Sequence, residues 1–483
     1  MRFKQLCAGI AAGACLAGTL LPIGAFAEES TQKTYTTGLF TYGYVDGGLE
    51  ICGVDTSTLS ATIPAESDGY KIVGIADGAF YGCTNLESVT LSEGLQYIGR
   101  HAFSGCEKLR KLDIPDSVTT LGGNTFSGCV SLEELHLPEK LTEIPEGMCY
   151  TCLALDTVNL PDTVTAIGDE AFYQCDSLEE VTLPANLATF GNYAFGFCGN
   201  LQNVDIPKGV TKLSGGTFAG CTSFTEFTIP KQMEDLGSLA FLGCTGLSAF
   251  SAEEGNLKYT VQDGVVYSEN NTMLIAYPAG NSQQSFTIPE GVTIVHDAAF
   301  FAAEHLTEVN FPSTLQYIGA GAFENCTALK SVLLPEGTEI LYENAFTDCT
   351  ALHYVSLPST LKGVGNYVFY NCPQLREITV PANCRTIGDY AFGYVEETDA
   401  DGNAAPVKLE GFKQRGGGIG VWKIVGIVAG VIAAGAVVVF LVRVIRKNQM
   451  TAEEHDQNVM ANEEYESIAE DPAQTDADPE QEE

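Results

Sequence analysis

One repeat occupies most of the chain: residues 155–175 read Leu155-Asp-Thr-Val-Asn-Leu-Pro-Asp-Thr-Val-Thr-Ala-Ile-Gly-Asp-Glu-Ala-Phe172-Tyr-Gln-Cys175, and this pattern returns every 23 residues. Its Phe position recurs thirteen times, with Cys149 as the one departure from Phe, at Phe80, Phe103, Phe126, Cys149, Phe172, Phe195, Phe218, Phe241, Phe300, Phe323, Phe346, Phe369 and Phe392. A period of this length, sustained over many copies, is typical of a solenoid built from stacked coils.

Two further columns keep the same register. Three residues after the Phe position stands Cys in eleven units, at Cys83, Cys106, Cys129, Cys152, Cys175, Cys198, Cys221, Cys244, Cys326, Cys349 and Cys372. Eleven residues before the Phe position stands Pro, at Pro115, Pro138, Pro161, Pro184, Pro207, Pro230, Pro289, Pro312, Pro335, Pro358 and Pro381. The interval from Phe241 to Phe300 is 59 residues, which is one period plus an insertion of 36.

Each unit has an apolar edge that it cannot bury alone. Apolar and polar residues alternate in segments such as Val181-Thr-Leu, which predicts a strand with one buried face. Pro184 ends that strand because it has no N–H to donate. Ile167 predicts a second extended piece, and the segment from Gly168 to Cys175 predicts a single helical or 3₁₀ turn. Stacking such coils about 4.8 Å apart would bury each apolar set against the next.

These residues resemble the BspA-like subclass of bacterial leucine-rich repeats, through the signature Ile-Gly-x-x-Ala-Phe-x-x-Cys. The resemblance implies a curved solenoid with a parallel sheet on its concave face. It also implies a surface protein, since several members of the class are implicated in adhesion to host matrix proteins or other cells. We therefore expect an α/β solenoid, a leucine-rich repeat horseshoe of about 13 repeats, over residues 61–395. An insertion at about 245–288 reads as a hairpin, and residues 28–60 as an N-terminal cap.

Both ends of the chain carry membrane signals. Arg2 and Lys4 precede an apolar stretch that ends in Ala-Phe-Ala27, which predicts a secretory signal peptide over residues 1–27. Nineteen uncharged residues from Ile424 to Val442 predict a transmembrane helix within 421–443. The signal peptide then places the repeats outside the cell.

The segments on either side of the predicted helix have unusual compositions. Residues 396–420 end in a Gly-rich run and predict a flexible linker. Residues 448–483 hold 13 acidic residues and no Lys or Arg, so residues 444–483 are predicted to be a disordered cytoplasmic tail. We expect a single-pass protein of the cell surface.

Composition and motifs exclude several functions. The chain has 483 residues and a formal net charge of −38, from 62 acidic and 24 basic residues. Such a chain repels phosphate backbones, so we expect no nucleic-acid partner. It has no His-Glu-x-x-His, no Gly-x-Ser-x-Gly and no Gly-rich phosphate loop. We expect no enzyme activity, no catalytic residues, no cofactor and no metal.

The regularly spaced cysteines allow three interpretations. Neighbouring coils would bring the Cα atoms within disulfide range, but parallel Cβ vectors fit that bond poorly. A metal site needs ligands that converge on a point, which a linear column does not provide. Buried free thiols that act as small apolar residues fit the spacing best, although export favours oxidised cysteine.

The outward residues of the predicted strands form two columns on the concave face. Together these columns hold seven carboxylates and one Lys, and their candidate ligand-binding residues are Lys111, Asp113, Glu134, His136, Glu180, Asp205, Glu226, Glu308, Tyr354 and Glu377. Their chemistry favours an extracellular protein with a basic patch, or a polyhydroxylated glycan. Two alternatives stay open: a receptor that signals through its acidic tail, and a structural coat protein with no specific ligand.

Overall fold

The computed structural model describes residues 33–237, 239–398 and 404–416, in two compact units. The N-terminal unit runs to Gly264 and includes Pro278–Asn281, and the C-terminal unit comprises Val265–Tyr277 and the chain from Ser282 onward. The signal peptide predicted at 1–27, the transmembrane helix at 421–443 and the tail at 444–483 lie outside the described residues. Within the described ranges, no helix is long and apolar enough to cross a membrane.

The first strand of each coil builds what we call the first face. In most coils its central residue is buried and its neighbours are exposed or half-buried, as in Thr157–Asn159, whereas Lys413–Gly416 is exposed throughout. In the N-terminal unit the strands are Ser60–Thr62, Ser88–Thr90, Lys111–Asp113, Glu134–His136, Thr157–Asn159, Glu226–Ile229 and Ala249–Ala252. In the C-terminal unit they are Ser285–Thr287, Glu308–Asn310, Ser331–Leu333, Tyr354–Ser356, Glu377–Val380 and Lys413–Gly416. The pairing is parallel within each unit, as predicted.

The ladder of the first face is interrupted in the N-terminal unit. The coils around Thr182 and Asp205 have no regular strand there, and an isolated bridge joins Asn159 to Thr182. The predicted sheet is therefore several short ladders rather than one.

A second extended piece of each coil builds a second face. Its strands in the N-terminal unit are Tyr70–Ile75, Tyr97–Ile98, Thr120–Leu121, Glu143–Ile144, Ala166–Ile167 and Thr189–Phe190, with Tyr259–Gln262 nearer the end of that unit. Its strands in the C-terminal unit are Val265–Ser268, Met273–Ala276, Ile294–Val295, Tyr317–Ile318, Ile340–Leu341, Gly363–Val364 and Thr386–Ile387. Successive coils again pair in parallel.

The third side of each coil is made of turns, which corrects the helical part of the predicted α/β class. Glu170 and Gln174 have left-handed φ angles of 54° and 55°, so a helix cannot continue through them. Their N–H groups, with that of Phe172, donate to carbonyl oxygens of the next coil at 2.8–2.9 Å. Hydrogen bonding between coils thus replaces the i to i−4 bonding of a helix, and the described residues form a β-solenoid.

The predicted Phe column is a stack of rings inside each unit, all buried except the half-buried Phe241, and Cys149 interrupts it in the N-terminal unit. Phe323, Phe346 and Phe369 are at most 1% exposed, with ring centroids 5.0 and 5.2 Å apart. Tyr277 takes the same position one period before Phe300. We call this set the ring column. The hairpin predicted in the insertion is present, since Val265–Ser268 and Met273–Ala276 pair antiparallel.

Strands outside the repeat close the two ends. Thr34–Thr37, Phe40–Val45 and Gly48–Val54 form an antiparallel meander, and Glu66–Ser67 pairs with the strand that follows it. Phe40 in this meander contacts the first ring of the column, Phe80, at 6.4 Å between centroids.

The linker predicted at 396–420 is a folded C-terminal cap over the part that the structure describes. Tyr394–Thr398 pairs antiparallel with Ala404–Lys408, and Lys413–Gly416 pairs in parallel with Glu377–Val380. Phe412 packs against the core of the unit, which holds the last strand in place despite its polar composition.

Candidate functional site on the first face

All ten residues predicted for the concave face are exposed on the first face or on the two coils that interrupt its ladder. Their exposure follows from the strand alternation, because residues on either side of a buried central residue point away from the core. The structure groups them in three sets, each within one unit.

The first set lies on two adjacent strands of the N-terminal unit. Lys111 Nζ is 2.9 Å from Glu134 Oε2 and 4.0 Å from Asp113 Oδ1, and His136 Nδ1 is in hydrogen-bond contact with Asp113 Oδ1. The bond from Lys111 lowers the pKa of Glu134, and Glu134 and then Asp113 raise the pKa of Lys111. The charges of the first set are therefore largely paired with one another.

The second set is different because its carboxylates have no internal partner. Glu180, Asp205 and Glu226 lie on three successive coils, and all three side chains are exposed. Among the described residues, none forms an ion pair or a side-chain hydrogen bond with them. At this place the N-terminal unit presents uncompensated negative charge.

The third set lies on the C-terminal unit and includes large apolar surface. Tyr354 is 53% exposed, and Leu333 on the neighbouring strand is 57% exposed. Glu308 lies on the same ladder as Leu333 and Tyr354, and Glu377 lies on the strand of the following coil, which pairs with Lys413–Gly416. Leu333 belongs to the outward columns, but the sequence reasoning did not select it as a site residue.

The last strand adds two cations that sequence reasoning missed. Lys413 pairs in register with Glu377, and Arg415 Nη2 lies 3.0 Å from Glu377 Oε2. The segment gave no strand signal because Gln414 occupies the position where other units have Val, Leu, Ile or Phe. The one sequence feature that indicated a strand here was the placement of Lys413 and Arg415 on either side of Gln414.

The cysteines form a hydrogen-bonded column in the core. Ten thiols donate to the carbonyl oxygen at the Phe position 26 residues earlier, which is Cys149 in one coil and Phe in the others, at 3.0–3.3 Å. Burial raises the pKa of Cys198, Cys244 and Cys326 to about 12. All fourteen cysteines of the described ranges are free thiols, and no three acidic, His or Cys side chains there are grouped to hold a metal ion. The thiol column is a structural feature, in agreement with the third interpretation of the spacing.

A family model described as BspA type Leucine rich repeat region matches the chain in six copies. The matches cover residues 60–176, 142–264 and 276–398, which together exceed half of the chain. They coincide with the coils that the structure shows. Among curated proteins, no relative matches this chain.

Several solved structures are similar. A leucine rich cell surface protein from Faecalibacterium prausnitzii A2-165 is 26% identical with a TM-score of 0.58, over 75% of this chain and 96% of that chain. A leucine-rich repeat protein from Bacteroides ovatus ATCC 8483 is 24% identical with a TM-score of 0.43, over 72% and 95%. The pneumococcal vaccine antigen PcpA is 19% identical with a TM-score of 0.36, over 75% and 87%. On the strength of the family match, this chain belongs to the family of proteins with BspA type leucine-rich repeats.

Proposed function

We propose that this chain is a cell-surface binding protein that captures a protein partner with a basic patch through its first face. The observation that carries the proposal is the unpaired set Glu180, Asp205 and Glu226. Uncompensated charge of one sign attracts a partner of the opposite sign and raises the rate of association. The paired charges around Lys111 contribute less, because they are already satisfied within the fold.

The C-terminal unit supports a protein partner by different chemistry. Tyr354 and Leu333 expose apolar surface on one ladder with Glu308, and Glu377 lies on the strand of the following coil. Exposed apolar patches rimmed by polar residues mark interaction sites, and tyrosine is enriched at the centre of protein interfaces. A partner that covers this patch would bury both side chains.

The proposal also covers the cellular location of the protein, and it assigns the protein no catalytic role. The sequence patterns at 1–27 and 421–443 favour export and a single membrane anchor, with the acidic tail in the cytoplasm. Family membership and the solved relative described as a cell surface protein support the same location. The process that fits is adhesion to host or other cells.

Charge reversal tests the proposal. The variant Glu180→Lys, Asp205→Lys and Glu226→Lys is compared with the unmodified full chain on a panel of immobilised extracellular matrix proteins. We expect the unmodified chain to bind at least one basic member of the panel, with affinity that falls as salt rises. The triple variant should bind it at least tenfold more weakly.

A matched control separates this site from net charge. Glu107, Glu143 and Glu234 are exposed carboxylates outside the first face. Their replacement by Lys changes the net charge by the same amount, and should leave binding within twofold of the unmodified chain. Equal losses in both variants, or no loss in the first, would overturn the assignment of the site.

A further inference from the structure

A groove of about 600 Å³ lies on the second face of the C-terminal unit, away from the residues discussed above. Its lining spans five successive coils, from Asp297 to Gly388. At about 4.8 Å between coils this gives a length of roughly 19 Å. Its lining includes Ile340, Tyr342 and Glu343. It has the size of a binding site for a small or linear ligand.

The groove owes its depth to Gly363. The residues in register with Gly363 on the other coils are Ile294, which is buried, and Tyr317, Ile340 and Thr386, so Gly363 leaves a notch between the side chains of Ile340 and Thr386. A Cβ at Gly363 would meet nothing closer than Thr386 Cβ at 3.8 Å, and its φ angle is not left-handed.

The fold requires the neighbouring glycines but does not require Gly363. A Cβ at Gly365 would lie 2.6 Å from the backbone nitrogen of Glu343, and a Cβ at Gly388 would lie 2.4 Å from that of Asn366. Gly363 sits in a regular strand with no bulge, where glycine lowers stability. A glycine in a strand often marks a bulge, a tight bend or the close approach of a ligand, and the pairing of Gly363 shows no bulge.

The polar groups of the groove offer both donors and acceptors. Asn366 Oδ1 accepts from the N–H of Asp389 at 2.8 Å, which leaves the amide N–H groups of Asn366 as donors. Asp297 Oδ1 accepts from the N–H of Ala320 at 2.6 Å, and this bond fixes the carboxylate at one end of the groove. Glu343 is exposed, and within the described ranges no side-chain hydrogen bond or ion pair involves it. Thr386 adds a hydroxyl group.

These features select among ligand classes. No Lys or Arg lines the groove, which disfavours an anionic ligand. The strand Gly363–Val364 is hydrogen-bonded on both sides, so its backbone is not available to pair with a peptide strand. A sugar hydroxyl is both donor and acceptor and matches the mixed polar wall. The apolar faces of Ile340 and Tyr342 can cover a sugar ring.

We propose that this groove is a second binding site, independent of the first face, for a linear neutral oligosaccharide. The ring that rests on Gly363 would be held between Ile340 and Thr386. Glu343 would accept hydrogen bonds from its hydroxyl groups and Asn366 would donate to them.

The test measures binding of defined sugars to the purified full chain. The probes are cellohexaose, mannohexaose and xylohexaose as neutral chains, an oligogalacturonate as an acidic chain, and an oligolysine peptide. We expect at least one neutral hexasaccharide to bind and the oligogalacturonate not to bind. Gly363→Ile fills the notch with an isoleucine side chain, which the preceding coil already carries at residue 340. This variant should bind sugar at least tenfold more weakly.

Controls separate the groove from folding and from the first face. Gly53 is a strand glycine of the N-terminal unit with open space around it, next to an irregularity in its strand pairing, so Gly53→Ile tests whether an added isoleucine on a strand disturbs the fold and should leave sugar binding unchanged. Glu343→Gln keeps the shape of the side chain and should weaken sugar binding severalfold. The first-face variant at Glu180, Asp205 and Glu226 should bind sugar normally.

Three results would overturn the proposal. The first is that none of the neutral hexasaccharides binds. The second is that Gly363→Ile and Glu343→Gln bind sugar as well as the unmodified chain. The third is that oligolysine alone binds and is lost in Gly363→Ile, which would make the groove a site for basic peptides.

Discussion

The ring of Tyr277 stacks on the ring of Phe300, with 4.8 Å between centroids and 22° between planes. Tyr277 follows Phe241 by 36 residues and precedes Phe300 by 23. The chain therefore regains the register within the insertion, where Tyr277 supplies one more member of the ring column. Its hydroxyl group is buried and has no hydrogen-bond partner within the described ranges.

Replacement of Tyr277 by Phe should stabilise the protein. The change removes an unsatisfied buried hydroxyl group and keeps the stacked ring, so we expect a gain of about 1 kcal/mol in the free energy of unfolding. Urea denaturation followed by circular dichroism measures the gain. Tyr277→Ala, which also removes the ring, should lose about 3–5 kcal/mol. A loss of stability in Tyr277→Phe would mean that the hydroxyl group has a partner.

The thiol column should be chemically inert in the folded protein. A thiol whose pKa is about 12, such as Cys198, Cys244 or Cys326, is ionised to only about one part in 10⁴ at pH 8. We expect no reaction of these thiols with Ellman's reagent over an hour in native buffer, and full reaction in guanidinium. Mass spectrometry of the modified chain locates any sites that react. Rapid native modification of Cys198 would contradict the burial of the column.

The stability of the C-terminal unit should depend on pH through Glu324. Burial, and then the charge of Asp348, raises the pKa of Glu324 to about 7 from an ordinary value of 4.5. The folded chain therefore keeps a proton that the unfolded chain releases. Since the folded state binds more protons in this window, the free energy of unfolding falls as the pH rises from about 4.5 to about 7. The total change from this group is up to about 3 kcal/mol.

Glu324→Gln should remove that part of the pH dependence. The variant should match the unmodified chain at pH 4.5 and exceed it in stability at pH 8, as measured by denaturation midpoints at each pH. The exposed carboxylate Glu304 provides a matched control, because Glu304→Gln should leave the pH profile unchanged. Parallel profiles for Glu324→Gln and the unmodified chain would show that Glu324 is charged in the folded state.

The sequence was sufficient to predict the repeat, the strands of the first face and the buried columns. Each of these follows from side-chain type at a fixed spacing, as with the Phe residues from Phe80 to Phe392. The conformation of the turns was not predictable in this way. Glu170 and Gln174 adopt left-handed φ angles, and neither residue type favours that conformation as glycine does. The C-terminal cap was missed because Gln414 replaces the expected apolar residue.

Exposure of the candidate site residues could be predicted, but their pairing could not. Alternation alone places Glu134 and Glu180 on the same outward column. Whether such a carboxylate forms an ion pair depends on the residue on the adjacent coil. For Glu134 that residue is Lys111. The groove at Gly363 was not foreseen, because a glycine in one strand has meaning only when the atoms around its missing Cβ are known.

The central claim is that the coils stack and enclose the ring column. Substitution of Phe346 tests this claim most directly. Its ring lies between those of Phe323 and Phe369, at 5.0 and 5.2 Å, and is fully buried. The measurement is the free energy of urea unfolding of Phe346→Ala, with Phe301→Ala as a partly exposed control next to the column. The account predicts a loss of about 3–5 kcal/mol at Phe346 and a clearly smaller loss at Phe301. Equal losses at the two positions, or a loss below about 1 kcal/mol at Phe346, would contradict it.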